Sequence, residues 1–355
     1  MRIGWIIAAV LLAFVVTNVV TTWTLLRLHP RRRHAIWLVI ILGNAMWLFF
    51  PLLRTLTPAG RLTRAIFGPP WFAWQSFAIL YAVLIAVWQS RWLSRAFISL
   101  TILGSIAGAY DALVPLRVER VPIRIANLPP PAEGMRIALM GDLHVGLFTR
   151  RSRLRQFFET ANALHPDAVI LAGDLVDDDP HFAPKLLEAT RFLDWRTPLL
   201  AVLGNHEMYG DPYGAVAALR SSRIHLLVNE GVPLRSIWIA GLSDFAAQKR
   251  DLRPDFAKTL NGASGMLPIL IAHQPKAFDE ARVLRIPLTL VAHTHGGQLG
   301  IRPLGWSLAG VFLPYHMGLY QRDASQLYVN TGTGFWLVPF RLGMTGEITL
   351  IELHR

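Results

Sequence analysis

A long uncharged run at the start of the chain limits its possible folds more than any other feature. No charged residue lies between Arg2 and Arg27. The run from Ile3 to Leu26 exceeds the roughly 20 residues that a helix needs to cross a bilayer core. Three further uncharged or nearly uncharged stretches follow, at Ala35–Leu53, Ala65–Ser90 and Ala96–Leu116. The pattern predicts an N-terminal transmembrane region of about four helices over residues 1–116.

Charge is distributed unevenly between this first third and the rest of the chain. Residues 1–116 contain ten arginines, one acidic residue (Asp111), no lysine and eight of the twelve tryptophans. These arginines separate apolar runs instead of forming one basic face, which argues against nucleic-acid binding. The basic loop formed by Arg27 and Arg31–Arg33 favours the cytoplasmic side after the first helix. We therefore expect a multi-pass integral membrane protein whose C-terminal domain is extracytoplasmic.

The remainder of the chain reads as alternating strands and helices. A proline-rich linker with one short strand covers residues 117–134. The predicted strands are Met135–Met140, Ala168–Ala172, Leu199–Leu203, Ile237–Ala240, Leu267–Ala272, Leu288–Ala292, Leu327–Val329 and Ile348–Leu353. The predicted helices are Arg153–Leu164, Ala183–Leu193, Tyr213–Ser221 and Lys276–Leu284. This alternation predicts an α/β sandwich over residues 135–355.

Polar side chains follow five of these strands directly. They are Asp142 and His144, Asp174, Asn205 and His206, His273, and His293 and His295. Ligand sites in open α/β folds form at the carboxyl ends of strands, so we expect these loops to converge. The chain has no cysteine, and a mixed carboxylate and imidazole set suits Mn, Fe or Zn better than Ca or Mg. The donors outnumber what one catalytic ion needs, which predicts two divalent ions that share an aspartate.

The order of the motifs, Asp-x-His, Gly-Asp, Gly-Asn-His-Glu, His and His-x-His, resembles that of the calcineurin-like metallophosphoesterases over roughly residues 135–355. The stretches His293–Gln298 and Tyr328–Gly334, which continues to Arg341, resemble a bacterial subgroup of membrane-associated or exported phosphodiesterases. The resemblance implies an αββα sandwich, in which helices flank two mixed sheets. One departure is Ala292, where a glycine commonly precedes His-x-His.

The resemblance also implies a role for each donor. The ligands implied for one ion are Asp142, His144 and His295. Those implied for the other ion are Asn205, His273 and His293. Asp174 would bridge both ions, and His206 matches the family histidine that faces the leaving group. Gln298 and Arg341 are candidates for contact with the phosphate, since arginine offers a bidentate fork.

These assignments predict a membrane-anchored phosphoesterase that hydrolyses a phosphodiester or a phosphomonoester. A hydroxide bridging the ions would attack phosphorus, and His206 would protonate the leaving group. The expected substrate is a phosphorylated small molecule or a lipid-linked phosphate next to the bilayer. The run Asp177–Asp179 predicts a solvated turn, from which Asp177 orients a ligand.

Two alternatives stay open from the sequence. The first is a membrane sensor or scaffold whose domain binds metal without catalysis, which the complete ligand set and His206 disfavour. The second is a metal-dependent amidohydrolase, which shares the ligand chemistry. Sequences that resemble amidohydrolases open with His-x-His, whereas here the Asp-x-His motif comes first and His293-x-His295 comes last.

Overall fold

The computed structural model describes residues 2–48, 74–75, 78, 81–82, 91–177, 179–337 and 339–355. The chain divides into two compact units. One unit comprises Met1–Ala109 and Leu337–Phe340, and the other comprises Tyr110–Trp336 and Arg341–Arg355.

The described helices of the N-terminal third are α1 (Arg2–Leu28), α2 (Arg33–Leu48) and α3 (Arg91–Leu113). A small buried cluster in this unit contains Leu25, Ile40, Trp74, Ala78 and Tyr81. A chain of side-chain hydrogen bonds lies alongside it. Asn18 donates to Gln75 (2.8 Å), and Gln75 donates to Asn44 (3.1 Å).

Within the part of the chain that the structure describes, no helix has the combined length and apolarity that a membrane crossing requires. This finding contradicts the predicted four-helix transmembrane region, and it contradicts the multi-pass protein with an extracytoplasmic catalytic domain. The prediction rested on long uncharged, apolar runs and on the tryptophans between them, and the first of these runs also contains uncharged polar residues such as Asn18, Thr21 and Thr24. The end of the second predicted span, beyond Leu48, and most of the third, Ala65–Ser90, lie outside the described residues.

The C-terminal region contains two six-stranded sheets. The first has the strand order β1 (Leu116–Arg124), β14 (Gly346–His354), β2 (Arg136–Met140), β3 (Ala168–Ala172), β4 (Leu199–Val202) and β5 (His225–Leu226). The second has the order β12 (Gly318–Arg322), β13 (Ser325–Val329), β9 (Leu288–Val291), β8 (Leu267–Ile271), β7 (Ile237–Gly241) and β6 (Glu230–Leu234). Each sheet combines parallel and antiparallel neighbours. A short antiparallel pair, β10 (Gly300–Ile301) and β11 (Trp306–Ser307), lies apart from both.

Helices cover the outer faces of the sheets. They are α4 (Arg151–Ala163), α5 (Ala183–Ala189), α6 (Asn205–Tyr209), α7 (Pro212–Arg220), α8 (Phe256–Leu260) and α9 (Ala277–Val283). Two of them begin at a capping aspartate: Asp211 accepts a hydrogen bond from the backbone N–H of Gly214, and Asp255 accepts one from Lys258. Each cap satisfies a backbone donor that the first helical turn leaves without a partner.

The alternation of side chains along each strand builds the layers. On β2, Ile137 and Leu139 pack between the two sheets, whereas Ala138 and Met140 pack beneath the helices of the first sheet. On β8, Ile269 and Ile271 face the first sheet, and Leu270 packs against α9 residues. This period of two buries both faces of β2 and β8. The predicted C-terminal α/β sandwich of two mixed sheets flanked by helices is therefore confirmed.

The eight predicted strands are present, with ends that differ by a few residues. Strand β1 pairs in parallel with β14 over nine residues, from Leu116 opposite Gly346 to Arg124 opposite His354. The sequence analysis omitted β5, β6, β10, β11 and β12. Strands β6 and β12 are edge strands without a buried apolar run, β6 being half-buried and β12 mostly exposed. Strands β5, β10 and β11 are only two residues long.

Candidate metal centre

The loops after β2, β3, β4, β8 and β9 bring the predicted donors together. Among the described residues, three groups are close enough to hold an ion, because the candidate ligand atoms in each lie within 4.8 Å of one another. The first group consists of Asp142, His144 and His295. The second consists of Asp174, His273 and His293. A third combination, His144 with Asp177 and His206, meets the same criterion.

The first group is almost completely buried. His144 Nε2 lies 3.1 Å from His295 Nε2, and His295 Nε2 lies 3.8 Å from Asp142 Oδ1. Two imidazole nitrogens and a carboxylate oxygen thus converge on one point away from water. Metal ligands of these types require such convergence.

The second group centres on His273. Its Nε2 atom lies 3.1 Å from Asp174 Oδ2, 3.1 Å from Asn205 Oδ1 and 3.1 Å from His293 Nδ1. The Nδ1 atom of His273 lies 2.8 Å from the carbonyl oxygen of Ala172, which orients the ring. Asn205, predicted as a ligand from sequence, thus lies within the second group.

Asp174 lies within reach of both groups. Its Oδ2 atom is 3.1 Å from His273 Nε2 and 3.6 Å from His144 Nε2. Its other oxygen, Oδ1, accepts a hydrogen bond from the backbone N–H of His206 (2.9 Å). A carboxylate in this position can contribute to two ions at once.

The backbone of the donor loops is unusual. Five donors adopt the left-handed region, which non-glycine residues seldom occupy: Asp142 (φ 51°), His144 (φ 42°), Asp174 (φ 49°), His293 (φ 76°) and His295 (φ 51°). Such conformations cost on the order of 1–3 kcal/mol each and persist only where the surroundings enforce them. Hydrogen bonds between loops provide that enforcement. The backbone N–H of His293 donates to both carboxylate oxygens of Asp142 (3.1 and 3.0 Å).

Two glycines allow the close approach of these loops. A Cβ atom on Gly173 (φ 82°) would lie 2.6 Å from His273 Nδ1, so this position excludes any side chain. A Cβ atom on Gly141 would lie 2.5 Å from the methyl carbon of Ala292. The methyl group of Ala292, where a glycine is common in the family, is therefore accommodated because the facing residue has no side chain.

Burial and mutual attraction set the protonation of the donors. Burial raises the pKa of Asp142 to about 6. Burial, and after it the charge of the neighbouring His273, lowers the pKa of His293 to about 3. For His273, burial lowers the pKa, but the attraction of Asp174 outweighs it and raises the pKa to about 10. Two buried carboxylates therefore lie among several imidazoles, and a cation placed between them would balance the negative charge, so the donor set fits divalent metal ions.

Similarity to known proteins identifies the family of this domain. The family description "Calcineurin-like phosphoesterase" matches residues 135–297. This part of the chain is a calcineurin-like phosphoesterase domain. The predicted family is therefore confirmed for the domain. At the level of this family, the predicted class of metal-dependent phosphoester hydrolase and the predicted use of divalent metal ions are also confirmed. The bacterial subgroup and the identity of the ions stay predictions.

Relatives of known sequence extend the match beyond the phosphoesterase domain. A Danio rerio protein described as a transmembrane protein with metallophosphoesterase domain is 35% identical over 271 residues, which cover 71% of this chain and 60% of the relative. An uncharacterized metallophosphoesterase of Helicobacter pylori is 32% identical over 250 residues, covering 69% of this chain and 66% of the relative. The chain thus spans about 60% of the length of the Danio rerio relative. Among solved structures, a putative 5'-nucleotidase from Staphylococcus aureus is similar over 57% of this chain and 49% of its own, with 14% identity and a TM-score of 0.37.

Glu207 supports the phosphoesterase domain in a way that the sequence analysis did not identify. Its buried carboxylate accepts hydrogen bonds from four backbone N–H groups, those of Asp174, Leu175, Val176 and Gly204, at 2.7–3.1 Å. Burial raises the pKa of Glu207, and the charge of Asp174 raises it further. One side chain therefore ties the loop that contains Asp174 to the loop that contains Asn205. Its place in the Gly-Asn-His-Glu motif was the available signal.

Asp177 orients His144. The Asp177 Oδ1 atom lies 3.0 Å from His144 Nδ1, which leaves Nε2 directed at the first donor group. Carboxylates commonly fix the tautomer of a metal-binding imidazole in this way.

The two predicted phosphate contacts, Gln298 and Arg341, both hydrogen-bond to protein groups. Arg341 is fully buried, and its guanidinium donates to the carbonyl oxygens of Thr331, Gly334 and Met344 at 2.6–3.0 Å. Its Nη2 atom lies 3.0 Å from His295 Nδ1. Gln298 donates to the carbonyl oxygen of Trp336 (3.2 Å) and accepts from the backbone N–H of the same residue (2.8 Å). Arg341 therefore supports a candidate ligand, and Gln298 supports a loop.

His206 contacts the first donor group without being part of it. Its ring centroid lies 4.6 Å from that of His144. The rings of Tyr209 and Trp336 lie 5.5 and 6.5 Å from His206. The sequence analysis gave no role to either aromatic residue, since a single aromatic in a loop carries no pattern.

Proposed function

We propose that this protein is a metal-dependent phosphoesterase in which Asp142, His144 and His295 hold one divalent ion. Asn205, His273 and His293 would hold a second ion. The position of Asp174 carries the proposal, because one carboxylate oxygen within 3.6 Å of His144 Nε2 and 3.1 Å of His273 Nε2 can join the two groups.

The chemistry follows from the donors and from His206. Two divalent ions would supply Lewis acidity and lower the pKa of a water molecule toward neutrality. Asp174 would keep both ions at a fixed separation, and Asp177 would keep His144 in the tautomer that binds metal. His206 would donate a proton to the departing oxygen, since an imidazole can hold and release a proton near neutral pH.

The substrate proposed is a phosphorylated small molecule, either a monoester or a diester. The buried carboxylate and imidazole donors suit metal ions, which in turn bind phosphate oxygens. The membrane anchor and the lipid-linked substrate expected from the sequence lack support. Manganese, iron and zinc all suit the mixture of carboxylate and imidazole ligands.

The test uses the full chain supplied with Mn, Fe or Zn, assayed on p-nitrophenyl phosphate and bis(p-nitrophenyl) phosphate. We expect activity that disappears on removal of the metal by a chelator and returns on its addition. His206→Ala should lower kcat by roughly 10²–10⁴-fold, the usual contribution of a general acid, while the bound metal measured by elemental analysis stays unchanged. His225→Ala is the matched control, because His225 is exposed on β5.

Two outcomes would contradict the proposal. Absence of bound metal would remove its basis. Bound metal without hydrolysis of either ester would instead favour a metal-binding domain that does not catalyse.

A further inference from the structure

Two partly exposed aromatic side chains lie beside His206. Tyr209 is 63% exposed and Trp336 is 45% exposed. Each ring meets the His206 ring in an edge-to-face arrangement, at 63° for Tyr209 and 68° for Trp336. His206 therefore lies in contact with a candidate metal ligand, His144, and with two rings that also face solvent.

The backbone around Trp336 is held in place. Gln298 uses its side-chain amide to bond both the N–H and the carbonyl group of Trp336. Just before it, Thr333 donates its backbone N–H to the carbonyl oxygen of Gly141 (2.8 Å), and Gly334 donates to that of Asp142 (3.0 Å). The loop that presents the Trp336 ring is thus bonded to the loop that presents the first metal ligand.

Tyr209 has an equally direct connection to the site. It is the last residue of α6, the short helix that begins at the candidate ligand Asn205 and contains His206 and Glu207. Three hydrogen bonds from Asp174, Leu175 and Val176 to the Glu207 carboxylate fix this segment against the Asp174 loop. Both aromatic rings therefore project from segments whose positions are set by the metal centre, which limits the ordering cost when a ligand binds them.

The neighbour of these rings indicates which part of a substrate they would meet. His206 is the residue proposed to protonate the departing oxygen, so a group bonded to that oxygen must lie near His206. Flat aromatic rings beside it offer surface for a planar partner, in stacked or edge-to-face contact. Aromatic side chains bind bases in this way without reading their hydrogen-bonding edges.

We propose that Tyr209 and Trp336 bind an aromatic ring within the leaving group, so that the site selects phosphoesters of phenols or nucleosides over those of small aliphatic alcohols. This inference rests on the function proposed above and adds the substrate class.

The first test measures binding of phenylphosphonate and methylphosphonate to the metal-loaded full chain by calorimetry. Both carry the same phosphonate group, and only one carries a ring. We expect the wild type to bind phenylphosphonate about tenfold more tightly, within the range that aromatic stacking provides. Trp336→Ala and Tyr209→Ala should each reduce that preference, while Trp336→Phe should retain most of it.

Trp195 provides the matched control. It is 76% exposed and precedes β4, at the opposite end of the strand from Asn205. Trp195→Ala should leave the preference unchanged. In the assay of hydrolysis, AMP carries adenine where ribose 5-phosphate carries a hydroxyl group. A lower KM for AMP that is lost in Trp336→Ala would show that the two aromatic side chains also bind a nucleobase.

The outcomes separate the two proposals. Equal binding of the two phosphonates by the wild type, together with equal KM values for AMP and ribose 5-phosphate, would contradict the proposed role of Tyr209 and Trp336. The proposed phosphoesterase function would be unaffected by that result. A preference that survives both alanine variants would also overturn it. Failure of the metal-loaded protein to bind either phosphonate or to hydrolyse any ester would contradict the function proposed first.

Discussion

The two sheets of the phosphoesterase domain contribute different chemistry to one site. The loops of the first sheet provide both candidate carboxylate ligands, Asp142 and Asp174, together with Asn205 and one imidazole, His144. The loops of the second sheet provide imidazoles only, at His273, His293 and His295. The candidate carboxylates therefore come from one side of the sandwich alone, whereas the candidate imidazoles come from both. Neither sheet alone presents a complete set of donors for either group.

The loops of the two sheets are also supported by opposite charges. On the first sheet, the buried carboxylate of Glu207 accepts hydrogen bonds from four backbone N–H groups. Next to His295, the buried guanidinium of Arg341 donates hydrogen bonds to three backbone carbonyl oxygens. An anion thus organises backbone donors beneath the ligands of the first sheet, and a cation organises backbone acceptors beside a ligand of the second.

We expect the largest effect from removing the negative charge of Asp174, the carboxylate that lies between the two donor groups. Asp174→Asn should lower kcat about 1000-fold or more, since several kcal/mol of charge stabilisation depend on the ions that this carboxylate joins. Steady-state kinetics with elemental analysis of bound metal would check this. Asp167→Asn is the control, because Asp167 lies before β3 whereas Asp174 follows it. Wild-type activity in Asp174→Asn would refute the shared carboxylate.

Arg341→Met tests the support of the second sheet. Three buried carbonyl oxygens would lose their donor, and we expect a loss of about 3 kcal/mol in the free energy of unfolding, measured in urea. Arg341→Lys should recover only part of it, because an ammonium group cannot reach three acceptors in the plane of a guanidinium. A change below about 1 kcal/mol for Arg341→Met would show that the fork does not support the loop.

Glu207→Gln tests the support of the first sheet and should have the smaller effect. The amide oxygen keeps two acceptor positions, but its NH₂ group faces two backbone donors, which costs about 2 kcal/mol. The removal of a buried charge offsets part of this loss. The exposed ion pair Arg151–Glu188 provides controls of the same residue types, since Arg151→Met and Glu188→Gln should each change stability by less than about 1 kcal/mol. A larger loss for Glu207→Gln than for Arg341→Met would reverse the predicted order.

Much of the phosphoesterase domain was predictable because its strands are short apolar runs that end directly at polar motifs. The runs ending at Met140, Ala172 and Ala272 each mark both a strand and the loop that contains a donor. The positions of Gln298 and Arg341 were not predictable in the same way. A guanidinium suits phosphate and buried carbonyl groups equally well, so the residue type alone does not decide between them.

In the N-terminal third, no described helix has the length and apolarity that a membrane crossing requires. The predicted transmembrane helices rested on long apolar runs without acidic or basic residues and on the tryptophans in this region. Uncharged polar residues such as Asn18 and Asn44 entered the same runs, and the side chains of both hydrogen-bond to Gln75.

The sequence by itself determined the identity and order of the donors, because each lies next to an apolar strand and their chemistry is fixed by residue type. Only the tertiary structure decided which donors lie together and which polar residues support them. Asp142 and His293 are separated by 151 positions along the chain, yet they are hydrogen-bonded. The packing of one sheet on the other sets that distance, and no local pattern of residues encodes it.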